Sequence, residues 1–449
     1  MVGTVRERFI RGFGATALGP IVTILAQVIS VPVFLHSWGP KVYGEWLVLS
    51  AIPTYIGFSD VGFGSVAGND MTMRVAVGDR RGALEVFQST WILMSVVSFL
   101  VVIGFIFGAW TLPLNGWLNI SSITPTMTRE ILTAFFFYSF FSLQSDLTTS
   151  GFRCEGNYAL GMLIKNLLRL SETLVGTIIV IFHASALQVA VFYLMMRLIG
   201  TPLMAWVMVH KSPWLRYGIS QASLRSIRAL AAPAVAYMAF PAGNALSIQG
   251  MVLVISAVLG PIAVATFSTM RTLTRFSFQI MEAVKNSIWP ELSAAYGAQN
   301  WPLARKLHRV ACQVSLWSSL GTVTFLFFAG DQIIRIWTHG RIAVDEPTFR
   351  WLLLVVIANS FWYTSSVVTI ASNTHERVAV VFLIGTAASL AIARILMPHF
   401  GLSGAAMALL AIDIIVGWYV LGRSLKTLSE SARDFFSSMF RIPELGFRK

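Results

Sequence analysis

Long apolar runs follow one another along almost the whole chain, and no other feature of the sequence limits its fold as strongly. A membrane-spanning helix needs roughly 20 mostly apolar residues. The 449 residues are 56% hydrophobic and only 12% charged, whereas soluble domains carry about 25% charged residues. A water-soluble fold could not bury so many apolar runs, so the sequence predicts an all-α polytopic membrane protein.

About twelve transmembrane helices can be placed on these runs, and the connectors leave little chain for a soluble domain. The predicted spans are 13–36, 42–67, 85–110, 129–150, 159–182, 185–209, 229–258, 262–289, 304–330, 348–370, 378–397 and 402–423. A long connector after the sixth span predicts two six-helix lobes around a central cavity. The predicted parts are an N-terminal lobe at 1–209, a cytoplasmic linker at 210–228, a C-terminal lobe at 229–424 and an amphipathic cytoplasmic tail at 425–449.

The formal net charge of +13 reflects membrane topology rather than nucleic-acid binding. Lys and Arg concentrate on the cytoplasmic side of membrane proteins. With the N-terminus inside, the outside segments hold only Lys41, Arg129, Arg335, Arg341, Arg350 and Arg394. The asymmetry predicts that both termini are cytoplasmic. Arg6, Arg8 and Arg11 precede an apolar run that is too long for a signal peptide and lacks a cleavage site, so this run is predicted to be the first retained span.

The two predicted halves share one short feature. Gly39-Pro40 follows the first span and Gly260-Pro261 follows the seventh, 221 residues later. Because each half has an even number of spans, repeats of this kind would be related by an axis along the membrane normal. Gly-Pro is common in turns, but its position in the same connector of each half favours an internal repeat.

A polar stripe in the eighth span provides the main candidates for a binding site, because charges within hydrocarbon usually face protein or water. Its members recur every three or four residues and share one helical face: Ser268, Arg271, Arg275, Gln279, Glu282 and Asn286. At 1.5 Å per residue, Arg271 lies about 14 Å inside the membrane, where a guanidinium can bind a phosphate. The alternative is that Arg275 and Glu282 form structural ion pairs.

Two shorter polar stripes lie in the fourth and fifth spans. The fourth span carries Ser142, Ser145, Asp146, Thr149 and Arg153, and the fifth carries Asn166, Arg169 and Thr173 with Glu172 beside them. Arg169 and Glu172 could simply neutralise each other, and hydroxyl side chains often bond their own backbone. The single charges Asp60, Arg197 and Asp413 are placed near span ends, where snorkelling or capping is usual.

The tail has apolar residues at helical spacing, namely Leu425, Leu428, Ala432, Phe435, Met439 and Phe440. This pattern predicts an amphipathic helix on the cytoplasmic leaflet; the alternative is a soluble helix that packs on a connector. The two cysteines, Cys154 and Cys312, fall at predicted cytoplasmic ends, and no Cys/His cluster predicts a metal site. No P-loop, HExxH or GxSxG motif is present, so we expect no cofactor and no enzymatic activity.

Several short motifs resemble those of bacterial polysaccharide flippases. The stretch 31–46, VPVFLHSWGPKVYGEW, is similar to the first inter-span turn of that family. Ser59-Asp60-Val61-Gly62-Phe63-Gly64 resembles the end of its second span, and a short basic loop with Arg80 and Arg81 follows. The stretch 288–293, IWPELS, and the turn 401–406, GLSGAA, resemble its eighth-span exit and final turn. The resemblance covers essentially the whole chain through short, degenerate motifs.

The resemblance implies membership of the multidrug/oligosaccharidyl-lipid/polysaccharide exporter superfamily, with two six-span bundles and an alternating-access cavity. In the polysaccharide branch the cargo is a pyrophosphate-linked oligosaccharide on a lipid, moved from the cytoplasmic to the periplasmic leaflet of the bacterial inner membrane. The expected partners are this substrate, membrane lipids and polysaccharide polymerase or assembly proteins. The candidate cavity residues are Arg271, Arg275, Gln279, Glu282, Arg169, Asp146 and Asn166.

Two competing functions remain open. The first is an ion-coupled exporter of small molecules on the same scaffold; drug-exporting relatives usually bind cations through acidic residues of the first lobe, and the first span here has none. The second is a membrane enzyme that processes glycans. His36, His183, His339 and His399 fall in outside connectors, but no partner residues for catalysis accompany them.

Overall fold

The computed structural model describes the backbone of residues 5–60, 62–372, 374 and 376–439, and most side chains from Gln27 onward. Asn286, a member of the predicted stripe, has no described side chain, and the same holds for the N-terminal arginines Arg6, Arg8 and Arg11. Phe440 and the rest of the predicted tail to residue 449 lie outside the described residues.

The described residues are almost entirely helical and include no strand. The α-helices are α1 Val5–Ala51, α2 Phe63–Ala76, α3 Arg80–Thr111, α4 Leu114–Trp117, α5 Pro125–Cys154, α6 Tyr158–Ile181, α7 Ala186–Lys211, α8 Leu224–Ala245, α9 Met251–Leu259, α10 Pro261–Thr274, α11 Phe276–Gly297, α12 Trp301–Trp337, α13 Glu346–Trp362, α14 Val367–Ala371, α15 Glu376–Phe400, α16 Leu402–Thr427 and α17 Ala432–Met439. A 3₁₀ segment at Ile52–Asp60 follows α1, and a π-helical turn at Leu246–Gly250 joins α8 to α9.

These helices confirm the prediction of a twelve-helix membrane protein. α1 contains two helices that meet at Gly39, and the interrupted pairs α8–α9, α10–α11 and α13–α14 each correspond to one predicted span. Seven helical segments of the described chain are long and apolar enough to cross a membrane: Arg80–Thr111, Ala186–Lys211, Pro241–Leu259, Trp301–Trp337, Glu346–Ala371, Glu376–Phe400 and Leu402–Thr427. Most helices extend a few residues beyond the predicted spans, since apolar runs end before helices do.

Side-chain caps explain where several helices begin. Thr124 accepts a hydrogen bond from the Met127 amide at the start of α5, and Asp79 accepts one from Gly82 at the start of α3. Ser185 forms a capping box with Gln188 at the start of α7. These bonds satisfy amides that have no partner in the first turn of a helix, which allows the connectors to stay short.

The Gly-Pro turns adopt matching backbone conformations in the two halves. Gly39 has φ 74° and ψ 168°, and Gly260 has φ 85° and ψ 175°. This region of backbone space is essentially open to glycine alone. The helix that follows is also interrupted in each half, by the 3₁₀ segment after α1 and by a single turn at Arg275 between α10 and α11. Local geometry therefore supports the internal repeat that the sequence predicts.

The chain forms two compact units, of which the first comprises Val22–Ala245. Its central helix is α5, which packs against α2, α3, α6 and α7. Glu45 is fully buried and accepts hydrogen bonds from the amides of Ser121, Ser122 and Ile123, at 2.9, 2.8 and 2.9 Å. One carboxylate thus anchors the turn that leads into α5.

The second unit comprises the described chain from Leu246 onward together with the start of α1. In it α16 packs against α13 and α15, and α12 packs against α11 and α13. The lobe, linker and tail boundaries drawn from the sequence stay predictions.

The short helix α17 packs on α12 and α16 of the second unit, and both the predicted position of the tail on the cytoplasmic leaflet and its alternative stay predictions. Phe435 and Met439 are buried with Cys312, Leu421 and other apolar residues of α12 and α16. Glu430 bonds to Arg309 and lies beside His308. Burial raises the pKa of the Glu430 carboxyl, but its bonds to His308 and Arg309 and their charges outweigh burial and leave that pKa below its ordinary value.

Replacing Gly39 by Ala is expected to destabilise the protein by about 1–3 kcal/mol, because a side chain strains this backbone conformation. A Cβ at Gly39 would meet no other atom within 4 Å, so the loss comes from the backbone alone. Gly104→Ala in α3, which also meets nothing within 4 Å, is the matched control and should be neutral or stabilising. Thermal unfolding of the purified variants in detergent measures both, and equal melting temperatures would contradict the argument.

Candidate functional site

A cavity of about 470 Å³ opens within the first unit. It lies between the end of α1, the 3₁₀ segment, α5 and α7. Its walls are formed by Trp46, Ser50, Pro53, Thr54, Gly57, Phe135, Tyr138, Ser139, Ser142, Leu143, Asp146 and Tyr193. The 3₁₀ segment replaces α-helical bonds in this wall, and the Ser139 hydroxyl donates to the Pro53 carbonyl at 3.2 Å. A side chain that lines the cavity therefore supplies a hydrogen bond to a carbonyl of this irregular backbone.

Aromatic rings form one side of this cavity. The Trp46 ring lies 5.1 Å from Phe135 and 6.1 Å from Tyr193, and the Tyr138 and Tyr193 centroids are 6.4 Å apart. Edge and tilted contacts of this kind hold rings in defined orientations. Electron-rich ring faces attract organic cations, at about 0.5–2 kcal/mol for each well-placed ring.

Asp146 is the one acidic residue among the cavity-lining residues that the structure describes. It lies on α5, and its Oδ1 atom accepts a hydrogen bond from the Lys165 ammonium of α6. The side chains of Lys165 and Asp146 keep 35% and 43% of their surface exposed. The carboxylate therefore belongs to a partly exposed ion pair at the edge of an aromatic cavity.

A second ion pair lies behind the cavity wall and is almost dry. Arg197 Nε lies 2.7 Å from Glu172 Oε1, and both side chains are 4% exposed. The Tyr138 hydroxyl donates to Glu172 Oε2 at 3.0 Å, and the Arg197 guanidinium lies 5.1 Å from the Tyr138 ring. The pair thereby fixes Tyr138, whose ring lines the cavity.

In the second unit, the basic stripe of the eighth span is partly exposed. Arg271 donates to the Ser247 carbonyl at 2.7 Å and to the Ser247 hydroxyl at 3.0 Å. Ser247 lies in the π-helical turn, where the backbone departs from α-helical bonding. The Arg271 guanidinium thus provides hydrogen bonds to the carbonyl and the hydroxyl of Ser247 in that turn. Among the described residues, no carboxylate lies within ion-pair distance of Arg271 or Arg275.

The other end of this stripe forms a polar cluster on α11. The Tyr363 hydroxyl donates to Glu282, and the Lys285 ammonium lies 4.3 Å from the centre of the Tyr363 ring. Asp413 of α16 accepts hydrogen bonds from Asn359 at 3.2 Å and Trp362 at 3.3 Å. Glu282 therefore bonds across to the interrupted span α13–α14 instead of pairing with Arg275.

The predicted site residues fall into two sets, one in each unit. Arg271, Arg275, Gln279 and Glu282 are half-buried along α10 and α11, whereas Asp146, Asn166 and Arg169 belong to the first unit. Of the latter three, only Asp146 lines the described cavity; Asn166 is half-buried and Arg169 is exposed on α6. The assignment of all seven to a substrate site stays a prediction.

Two sequence-based placements are wrong. Arg197 and Asp413 are predicted near span ends, yet they lie in the middle of α7 and α16 and are held by partners on neighbouring helices. The ion-pair partner of Glu172 is Arg197 rather than Arg169. Asp60 lies at the end of the 3₁₀ segment and accepts a hydrogen bond from the amide of Gly62, the residue that precedes α2, at 2.7 Å.

Sequence reasoning missed the aromatic half of the cavity. Phe135, Tyr138 and Ser139 extend the fourth-span stripe upward from Ser142 at the same spacing of three and four residues. Restricting that stripe to polar residues hid this continuation. Tyr193 and Trp46 come from other helices and share no sequence pattern with Asp146.

No protein-family model matches the sequence. No curated protein sequence matches it either. Solved structures do: an inward-facing multidrug resistance MATE family transporter of the MOP superfamily is 14% identical, covers 90% of this chain and 94% of its own, and superposes with a TM-score of 0.76. The chain has the fold of the MATE family transporters.

Two further transporters of this kind are similar over nearly the whole chain. The MATE multidrug transporter DinF-BH in complex with R6G is 15% identical over 96% of this chain and 99% of its own, with a TM-score of 0.67. A MOP superfamily transporter from Pyrococcus furiosus Vc1 (DSM3638), described by the reverse polarity of its binding pocket, is 13% identical over 94% and 95%, with a TM-score of 0.64. At these identities the likeness shows the MATE-like fold alone, and the polysaccharide-flippase branch stays a prediction.

Replacing Arg197 by Met should destabilise the protein by about 3–5 kcal/mol, because the Glu172 carboxylate then remains buried without its partner. The double variant Glu172→Leu/Arg197→Met should be more stable than Arg197→Met alone, since it removes both charges. Arg350→Met serves as the control, because Arg350 pairs with Glu346 on the surface, where both side chains are more than half exposed. Thermal melting in detergent tests this order; a double variant less stable than Arg197→Met would refute it.

Proposed function

We propose that the chain is an ion-coupled, alternating-access exporter of small amphipathic organic cations, which bind in the aromatic cavity of the first unit. The observation that carries this proposal is the combination of Trp46, Tyr138 and Tyr193 with the carboxylate of Asp146 in one cavity. Rings and a carboxylate together favour a flat, positively charged ligand.

The size of the cavity supports the same ligand class. Sites for drug-sized molecules usually enclose about 300–1,000 Å³, and this cavity encloses about 470 Å³. A lipid-linked oligosaccharide would not fit inside it. The MATE fold adds support, because two of the similar structures are multidrug transporters and one of them is a complex with R6G.

The missing acidic residue of the first span is no obstacle to this proposal. Asp146 on α5 supplies a carboxylate to the cavity of the first unit, so the acid comes from the fourth span instead. The sequence also lacks a P-loop, and an ion gradient is the energy source that fits such a chain.

Cells that express the chain should extrude ethidium, and an uncoupler should abolish the extrusion. Asp146→Asn is expected to lower ethidium transport about tenfold, since a charged hydrogen-bond or ion-pair partner contributes about 1.5–3 kcal/mol before competing costs. Tyr193→Leu should lower it by a smaller factor. Fluorescence efflux assays in a host without its own exporters measure both changes.

Asp331→Asn is the control for Asp146→Asn, because Asp331 pairs with Arg335 on the surface of α12. This variant should transport ethidium like the parent chain. If Asp146→Asn is expressed like the parent chain and transports ethidium equally well, the cavity is not the binding site of the cation.

A second candidate function rests on the basic stripe of the second unit. Arg271 and Arg275 are half-buried in the predicted eighth span, and no described carboxylate is within ion-pair distance of either. Such cations can receive a phosphate, as a flippase for a pyrophosphate-linked oligosaccharide requires. The similar MOP superfamily transporter from Pyrococcus furiosus is described as having a binding pocket of reverse polarity that suggests a different function, which is compatible with this candidate.

The flippase alternative predicts that the double variant Arg271→Ala/Arg275→Ala loses surface polysaccharide while its expression is unchanged. The reason is that a pyrophosphate would then meet no cation in the stripe. Arg350→Ala removes one exposed arginine and should leave the polysaccharide intact. Gel profiles of surface polysaccharide read the result, and full polysaccharide in the double variant would exclude this candidate.

A further inference from the structure

Two ion pairs of the first unit differ sharply in how firmly they are held. The pair Glu172–Arg197 is 4% exposed on both sides and is joined by further bonds to Tyr138. The pair Asp146–Lys165 is 35–43% exposed and is held by the hydrogen bond from the ammonium to Asp146 Oδ1. The first pair is held by several bonds among buried side chains, whereas the second is held by one hydrogen bond and is only partly buried.

The exposure of the second pair makes its displacement inexpensive. Partly exposed ion pairs shift an equilibrium by about fivefold or less. An organic cation that reaches Asp146 replaces the ammonium with its own charge and also gains contacts with the aromatic rings of the cavity. Lys165 is not among the described lining residues and reaches Asp146 from α6. Its flexible side chain can therefore move off the carboxylate without a movement of the helix.

We propose that Lys165 is a built-in competitor for cationic cargo, a tethered counter-ion that neutralises Asp146 in the empty cavity and is displaced when a cation binds. This inference rests on the proposed function, in which the cavity takes organic cations. Without cargo, Lys165 keeps the carboxylate from standing uncompensated in a site bordered by apolar rings.

The charges around Asp146 fit an exchange of this kind. Asp60 is close enough to interact electrostatically with Asp146, and so is Arg197. Asp60 adds negative potential that attracts a cation, whereas Arg197 is neutralised by Glu172. Lys165 is therefore the mobile positive charge at the site, and the other cation is held in place.

Such a competitor sets selectivity as well as affinity. A neutral molecule gains nothing by separating Asp146 from Lys165, so it must bind beside an intact pair. A cation exchanges with the ammonium and leaves the charge of the site unchanged. Weakening of cation binding by Lys165 also favours release, which an exporter needs as much as it needs binding.

The test is direct binding of ethidium, a flat monocation, and N-phenyl-1-naphthylamine, a neutral aromatic probe, to the purified full chain in detergent. Lys165→Gln should bind ethidium about two- to fivefold more tightly than the parent, in line with the modest strength of exposed ion pairs. Its affinity for the neutral probe should not change. Lys165→Arg keeps the charge and should bind ethidium much as the parent does.

Two further variants keep the result interpretable. Lys426→Gln removes an exposed lysine of the second unit and should match the parent for both probes. Lys165→Met repeats the loss of charge with a different side chain, in case Lys165→Gln folds poorly. Retained binding of the neutral probe and a single size-exclusion peak report that each variant is folded.

Each outcome has a distinct meaning. Parent protein that binds ethidium, with Lys165→Gln and Lys165→Met equal or weaker, would overturn the role of Lys165 and leave the proposed function standing. Parent and variants that all fail to bind ethidium would remove the proposed function and this inference with it. Tighter binding of both the neutral and the cationic probe would show that Lys165 acts by occupying space, which also overturns the proposal.

Discussion

The hydrogen bonds of the backbone limit this molecule more than any other interaction. Hydrocarbon offers no partner for an open amide or carbonyl, so each interrupted helix needs side chains that close the gap. Ser139 bonds to the Pro53 carbonyl at the 3₁₀ segment, and Arg271 bonds to the Ser247 carbonyl at the π-helical turn. In both units the polar residues that make a candidate site also repair an irregular backbone.

The two units use charge in different ways. The first unit combines aromatic rings with carboxylates that are paired to cations on neighbouring helices, at Asp146–Lys165 and Glu172–Arg197. In the second unit, Arg271 is bonded to Ser247 and to no described carboxylate. Because a charge in a membrane protein needs a partner or water, we propose a cation as the ligand of the first unit and, for the second candidate function, an anionic group as the ligand of the second. This difference is why the exporter and the flippase predict different sensitive residues.

Sequence patterns revealed the fold well because apolar length and basic connectors are one-dimensional properties. The predicted spans 185–209 and 402–423 match α7 and α16 to within four residues at each end. The candidate site was harder to predict, because its members meet through tertiary packing: Lys165 reaches Asp146 from another helix, and Arg197 takes Glu172 from its neighbour Arg169. Helical spacing shows which residues share a face, but not which face of a neighbouring helix they meet. A search for polar stripes does not find aromatic residues such as Tyr138, because an aromatic side chain in a span can face either lipid or a cavity.

The matched turns at Gly39 and Gly260 have a consequence for the history of the chain. Tandem duplication of an ancestral six-helix gene would place the same glycine in both copies, and any other residue in that backbone conformation costs about 1–3 kcal/mol. Side chains elsewhere were under no such restriction, so one copy could acquire a cavity of rings and acids while the other acquired a row of arginines. The common φ and ψ angles at Gly39 and Gly260 would then be a remnant of the duplication, although the side chains of the two candidate sites have diverged.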